Sequence, residues 1–114
     1  MYGILSRAAF EPVKSLAFGS IGAAYMGVGT AFSKPIRILI LQNLTDGIVW
    51  FSFDGVNDHV PLASISYIIL DLTSNKGSGG GWFIDEGTRV YVKQLGAAPT
   101  SGSVYVSALY GKER

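Results

Sequence analysis

The single histidine, His59, is the first residue to weigh for chemistry, because imidazole is the usual proton carrier and metal ligand near neutral pH. With no cysteine and no second histidine, a zinc site would need carboxylates for every other ligand, which is uncommon. A thiol nucleophile, a disulfide and a thiolate metal site are excluded outright. Serines are numerous, but no G-x-S-x-G elbow presents one, so a Ser–His–Asp arrangement lacks its nucleophile motif. His59 therefore reads as a loop residue hydrogen-bonded locally. Asp54-Gly55-Val56-Asn57-Asp58 gathers oxygen ligands that suit calcium, without the alternating ligands and distal glutamate of an EF-hand. Asx turns between two strands account for the same residues. Asp85 and Glu86 are adjacent, so on a strand they point to opposite faces and form no acid–base pair. The glycine-rich residues 77–81 lack the following Lys-Ser/Thr and a helix to present to a phosphate. Asn43-Leu44-Thr45 matches a glycosylation sequon, which has no consequence without a secretory signal. The expectation is a protein with no catalytic, metal-binding or cofactor-binding residues, and not an enzyme.

The aromatic residues carry more. Trp50-Phe51 and Trp82-Phe83 are consecutive pairs, so one member of each faces away from any single core. Tyr91 and Tyr105 fall on the polar phase of their segments. Outward aromatics mark protein contacts, and a carbohydrate-stacking platform on Trp50 or Trp82 is the other reading.

Elements must position these residues, and the chain is punctuated for strands. Ile36-Arg37-Ile38-Leu39-Ile40-Leu41-Gln42 has the β-branched content of a core strand. Asn43-Leu44-Thr45-Asp46-Gly47 follows as a turn with Asp-Gly at a hairpin position. Residues 48–53, 65–72, 82–84, 88–95 and 103–110 read as further strands. In the last two, Val90 and Val92, then Val104, Val106 and Ala108, alternate with polar residues as half-buried strands do. Residues 1–13 have no clear period and read as an arm, with room for one helical turn. Glycines from Leu16 onward argue for irregular β structure. Short strands with turns every 8–12 residues indicate an all-β fold, a single small β-sandwich or jelly roll with an extended N-terminal arm. The division expected is 1–33 for the arm and first irregular β segment, and 34–114 for the sandwich.

Bulk composition fits one domain of 114 residues. Charged residues are 15% of the chain against roughly 25% in an average soluble domain, so much of the surface must be uncharged. Such area is usually covered by partners. The net charge of +1 offers no bulk attraction to nucleic acid or membrane. Charge is nevertheless segregated: residues 1–37 and 87–114 are basic, and residues 38–86 are acidic. This supplies complementary faces between neighbouring copies, or merely solvated turns. Residues 15–32 are uncharged over a length that could span a membrane, yet four glycines and several hydroxyls dilute them. No signal peptide is expected.

The order of motifs resembles small virion structural proteins of tailed bacteriophages. Tyr25-Met26-Gly27-Val28-Gly29-Thr30, Pro35-Ile36-Arg37-Ile38-Leu39-Ile40 and Asn43-Leu44-Thr45-Asp46 carry the front half of the resemblance. Phe51-Ser52-Phe53-Asp54-Gly55-Val56, Gly87-Thr88-Arg89-Val90-Tyr91-Val92-Lys93 and Pro99-Thr100-Ser101-Gly102-Ser103-Val104-Tyr105-Val106-Ser107 continue it. The resemblance implies a non-catalytic β-sandwich present in many copies on the virion, as a capsid cement or decoration protein or at the head–tail connector. Its partners would be copies of itself, as a homo-oligomer, and other virion proteins, after synthesis in the host cytoplasm. Phe10, Phe18, Tyr25, Trp82, Phe83, Tyr91 and Tyr105 are the expected interface residues.

Overall fold

The computed structural model describes residues 6–72 and 84–113, so Trp82 and Phe83 lie outside the described residues. Its strands are β1 (Ser6–Phe10), β2 (Lys14–Ala17), β3 (Met26–Gly27), β4 (Ile38–Asn43), β5 (Val49–Ser52), β6 (Val60–Leu62), β7 (Ser66–Asp71), β8 (Tyr91–Gln94) and β9 (Ser103–Glu113). They form two antiparallel sheets, one ordered β1-β9-β4-β7 with β2 also on β9, the other β3-β8-β5-β6. The chain is an all-β sandwich, as the strand periods indicate. The single helical element described is one 3-10 turn, Phe18–Ser20, and the N-terminal residues described pair as strands.

The core is the layer between the sheets. Leu39 and Leu41 of β4 register against Ala108 and Val106 of β9, and all four are buried. Val49, Phe51, Val92 and Leu62 face them from the second sheet, and the loop residues Ile21, Val28, Phe32, Ile36 and Val90 close the sides. Each fully buried Val, Leu, Ile or Phe contributes about 1.5–3 kcal/mol relative to exposure. The valines of the two alternating segments are all buried, so period-2 patterning located them correctly.

Residues 43–47 do not make a hairpin. β4 and β5 lie in different sheets, so this turn carries the chain across the sandwich. Asn43, fully buried, organises the crossing. Its Nδ2 donates to the carbonyls of Gly47 (2.8 Å), Leu62 (3.0 Å) and Ala63 (3.1 Å). Its Oδ1 accepts from the Thr45 N–H (3.0 Å) and hydroxyl (2.6 Å). One side chain thus joins the end of β4 to the turn and to the β6–β7 link, and the sequon asparagine is withdrawn from the surface. Gly102 packs directly on this turn at φ +89°, where an added Cβ would collide with the backbone of Leu44 and Thr45.

The N-terminal segment lies along one edge of β9. β1 pairs Phe10 with Leu109, while β2 pairs Lys14 with Val106, so four residues on the edge span three on β9. This is a β-bulge, and Pro12 sits in it, where a missing N–H costs nothing. Glu11, in the bulge, turns inward to 7% exposure. Its Oε2 accepts from the Ser33 N–H (2.9 Å), the Ser33 hydroxyl (3.1 Å) and the Lys34 N–H (3.2 Å). Its Oε1 lies 3.6 Å from Lys14 Nζ, which also donates to the Thr30 hydroxyl. A buried carboxylate therefore clamps the N-terminal strands to the loop before β4.

Candidate functional site

The two outer faces of the sandwich differ in chemistry. On the first sheet, three adjacent register rows of side chains are left at the middle of its outer face after the core is filled. One is Phe10–Leu109–Ile38–Asp71, the next Ser107–Ile40–Ile69, the third Ser15–Tyr105–Gln42–Tyr67. Asp71 is the one charged residue among them. Phe10 is 65% exposed, Tyr67 64% and Ile69 52%. An antiparallel sheet with a solvated outer face ordinarily alternates apolar-in with polar-out. Here both phases of β4 and β7 are mostly apolar, which leaves these rows with Asp71 at one edge as their one charge and few of the charges that keep monomers apart.

Ile65 extends this surface at 68% exposure and with φ +54°, a left-handed conformation that β-branched residues rarely take. The strain is of order 1 kcal/mol, held at a position where the side chain is mostly exposed. Ile65→Gly should therefore raise the denaturant midpoint by the equivalent of about 1 kcal/mol. An unchanged or lowered midpoint would show that Ile65 is anchored in the isolated protein.

The second sheet turns a charged face outward. Lys93 sits across from Trp50, 3.3 Å from Asp58 and 4.7 Å above the Tyr25 ring. The Tyr25 hydroxyl hydrogen-bonds Asp58, and its pKa is pushed well above the phenol range, first by burial and then by that carboxylate. Asp58 is correspondingly held below the usual carboxylate range, chiefly by the Tyr25 hydroxyl. Arg89 donates to the Gly29 carbonyl (2.7 Å) and lies over the Tyr91 ring. Asp54 accepts from the N–H groups of Asn57 and Val56 (both 2.8 Å), the Asn57 amide and the Ser52 hydroxyl. These donors, led by the Asn57 N–H, hold its pKa far below normal and make an Asx-type turn. His59 Nδ1 accepts the Phe53 N–H (3.0 Å), while its Nε2 is 4.0 Å from Asp54. No group of three or more metal-ligating side chains occurs among the described residues.

The expected interface residues are therefore divided. Phe10 and Tyr105 lie on the uncharged face. Tyr25 and Tyr91 lie on the other, each under a cation. Phe18, 39% exposed, stands on the 3-10 turn. Ile38, Ile40, Tyr67, Ile69 and Leu109 were not singled out from the sequence, although a signal existed. The apolar runs through 36–41 and 65–70 lack alternation, and a strand in a two-layer sandwich buries only one of its faces.

No known protein family and no curated protein matches the sequence. Among solved structures, a chain of the cyanophage Pam1 capsid asymmetric unit aligns over 98% of this chain and 88% of its own, at 19% identity and a TM-score of 0.49.

Proposed function

We propose that the chain is a non-enzymatic structural protein of a tailed-phage particle, a cement or decoration protein that beds its uncharged face on neighbouring subunits. The observation that carries this reading is the contrast between the two faces. A bare apolar sheet face is an interface in waiting, and a charged opposite face suits the solvent side of a shell. The sequence resemblance to small virion proteins supplies the setting. Phe10, Tyr105 and their row neighbours make the contact, and β1 and β2 take part as strands of the same sheet rather than as a free arm. The partners are other copies and the major capsid protein, with assembly after synthesis in the host cytoplasm. A head–tail connector uses the same face, at one vertex.

Antibodies raised against the purified chain should decorate the shell of intact particles in immunogold electron microscopy. Label confined to the tail vertex would favour the connector, and absence from purified particles would end the reading. Ile40→Lys, which places a charge at the centre of the uncharged face, should leave the circular dichroism spectrum intact and cut particle binding at least about tenfold. Undiminished binding would exclude this face as the contact. Retention on a glycan array without particle binding would instead favour a sugar platform at Trp50.

A further inference from the structure

The four connections at one end of the sandwich, residues 18–25, 44–48, 63–65 and 95–102, form a surface nearly without charge. Ser6, Leu72 and Ile84, which border the residues outside the description, all lie at the other end. Asp46 is the one charged residue in the four. Its carboxylate accepts from the Thr100 N–H (2.7 Å), the Thr100 hydroxyl and the Ser101 N–H (3.3 Å). Phe18, Leu44, Ile48 and Ile65 are exposed there, with the exposed alanine pairs 23–24 and 97–98 among them. The connections at the opposite end carry Lys34, Arg37, Asp54, Asp58 and Arg89. The apolar end is also knit together. Asp46 ties 44–48 to 95–102, and the Ser64 hydroxyl donates to the Thr45 carbonyl (2.6 Å). The Phe18 N–H donates to the Gly102 carbonyl (3.0 Å), and the Gln94 N–H to the Gly22 carbonyl (2.8 Å). A surface locked before contact loses little entropy on binding. Ile65 stands on it in its left-handed conformation, and such strain collects at binding sites.

A partner of a different kind is usually selected by complementary charge, and this end offers almost none. A contact between identical surfaces about a two-fold axis sets each charge near its own copy, so it favours a surface of this composition. The molecule measures 54 × 23 × 22 Å, and the eleven-residue β9, roughly 36 Å long, fits only the first dimension. Two ends of 23 × 22 Å pressed together bury on the order of 1,000 Å² in total, the low edge of specific interfaces. We propose that two copies of this chain pair end to end through these four connections, in a weak and reversible isologous dimer. This rests on the multi-copy reading above for its second copy. The sheet face of each copy stays free to bed on other subunits.

Sedimentation velocity from about 5 to about 500 µM tests this, with Leu44→Lys and Leu44→Glu as variants. The wild-type chain should pass from monomer to dimer and no further, and sodium sulfate should strengthen the dimer as it does apolar contacts. Each variant alone should bind itself at least about tenfold more weakly. Their equimolar mixture at roughly 0.01 M salt, where charges act over about 30 Å, should dimerise again, because one end then meets its opposite. Ile40→Lys, on the sheet face, should dimerise as the wild type does. A wild type still monomeric at about 500 µM would overturn the proposal, and flotation of that monomer with phosphatidylcholine vesicles would assign the end to a lipid surface. Assembly beyond the dimer, weakening by sulfate, undiminished pairing of Leu44→Lys, loss of pairing in Ile40→Lys, or a mixture no better than its parts would each overturn it as well. Should a Leu44 variant misfold, Ile48→Lys and Ile48→Glu repeat the test with the same expectations. Absence from particles in the immunogold experiment would leave a solution dimer standing, and a solution monomer would leave particle binding standing, so the two readings fail separately.

Discussion

Asn43→Asp should lower the melting temperature by roughly 15 °C, the equivalent of about 3 kcal/mol in a domain of this size. The substitution changes no volume, but it exchanges a buried N–H₂ for oxygen. Three carbonyls, of Gly47, Leu62 and Ala63, now accept from Asn43 Nδ2 at 2.8–3.1 Å. An ionised carboxylate there would face three oxygen dipoles with no water to relieve it. A protonated one could satisfy one of the three. The introduced carboxyl therefore has a folded-state pKa raised above its unfolded value of about 3.9. Its penalty is smallest below that value and grows as pH rises through and beyond it. Thermal denaturation at pH 4 and pH 7 checks both points, and the deficit should be larger at pH 7. Equal deficits at the two pH values would mean that the site admits water. Asn43→Ala separates volume from polarity, leaving the same carbonyls unpaired but adding no charge, and its cost should be pH-independent.

The second large effect is expected at Glu11. Removing one partner of a buried ion pair costs about 3–5 kcal/mol, because the remaining charge stays desolvated. The side chains of Glu11 and Lys14 are 5% and 10% exposed, so Glu11→Ala leaves Lys14 unpaired and strips an acceptor from the Ser33 and Lys34 N–H groups. A loss of about 3 kcal/mol follows, at the lower end because Lys14 retains its bond to Thr30. Glu11→Gln keeps an acceptor for the two N–H groups but turns its Nε2 towards Lys14, so it should recover only the part of the loss owed to those N–H groups. The loss should be local first. Hydrogen exchange ought to accelerate in β1 and β2 before β4, since the clamp is what ties the bulged edge to the body. A change below about 0.5 kcal/mol, or uniform acceleration across both sheets, would show that the clamp does not hold the N-terminal strands.

Both sites show why local reading stopped short. The Asn43-Leu44-Thr45 triplet is visible in the sequence, yet its meaning depends on Leu62 and Ala63, which no spacing rule associates with it. The same holds for Glu11, whose acceptor role needs Ser33 and Lys34 brought beside the bulge. The Asp-Gly of residues 46–47 suggested a hairpin because turn chemistry is local, whereas the choice of sheet for β5 is set by packing across the core.

What the amino-acid sequence determined by itself was the all-β class, the inward phase of β8 and β9, and the Asx-type turn at Asp54. These follow from alternation, β-branched content and side chains bonding their own backbone, all effective within a few residues. The division of Phe10 and Tyr105 from Tyr25 and Tyr91, the largely apolar face across β9, β4 and β7, and the pairing of the N-terminal strands with the C-terminal one were decided only in the tertiary structure. Each depends on which strands become neighbours. That choice is made by burying Leu39, Leu41, Val106 and Phe51 together, and the outer faces are what remains once that core is filled.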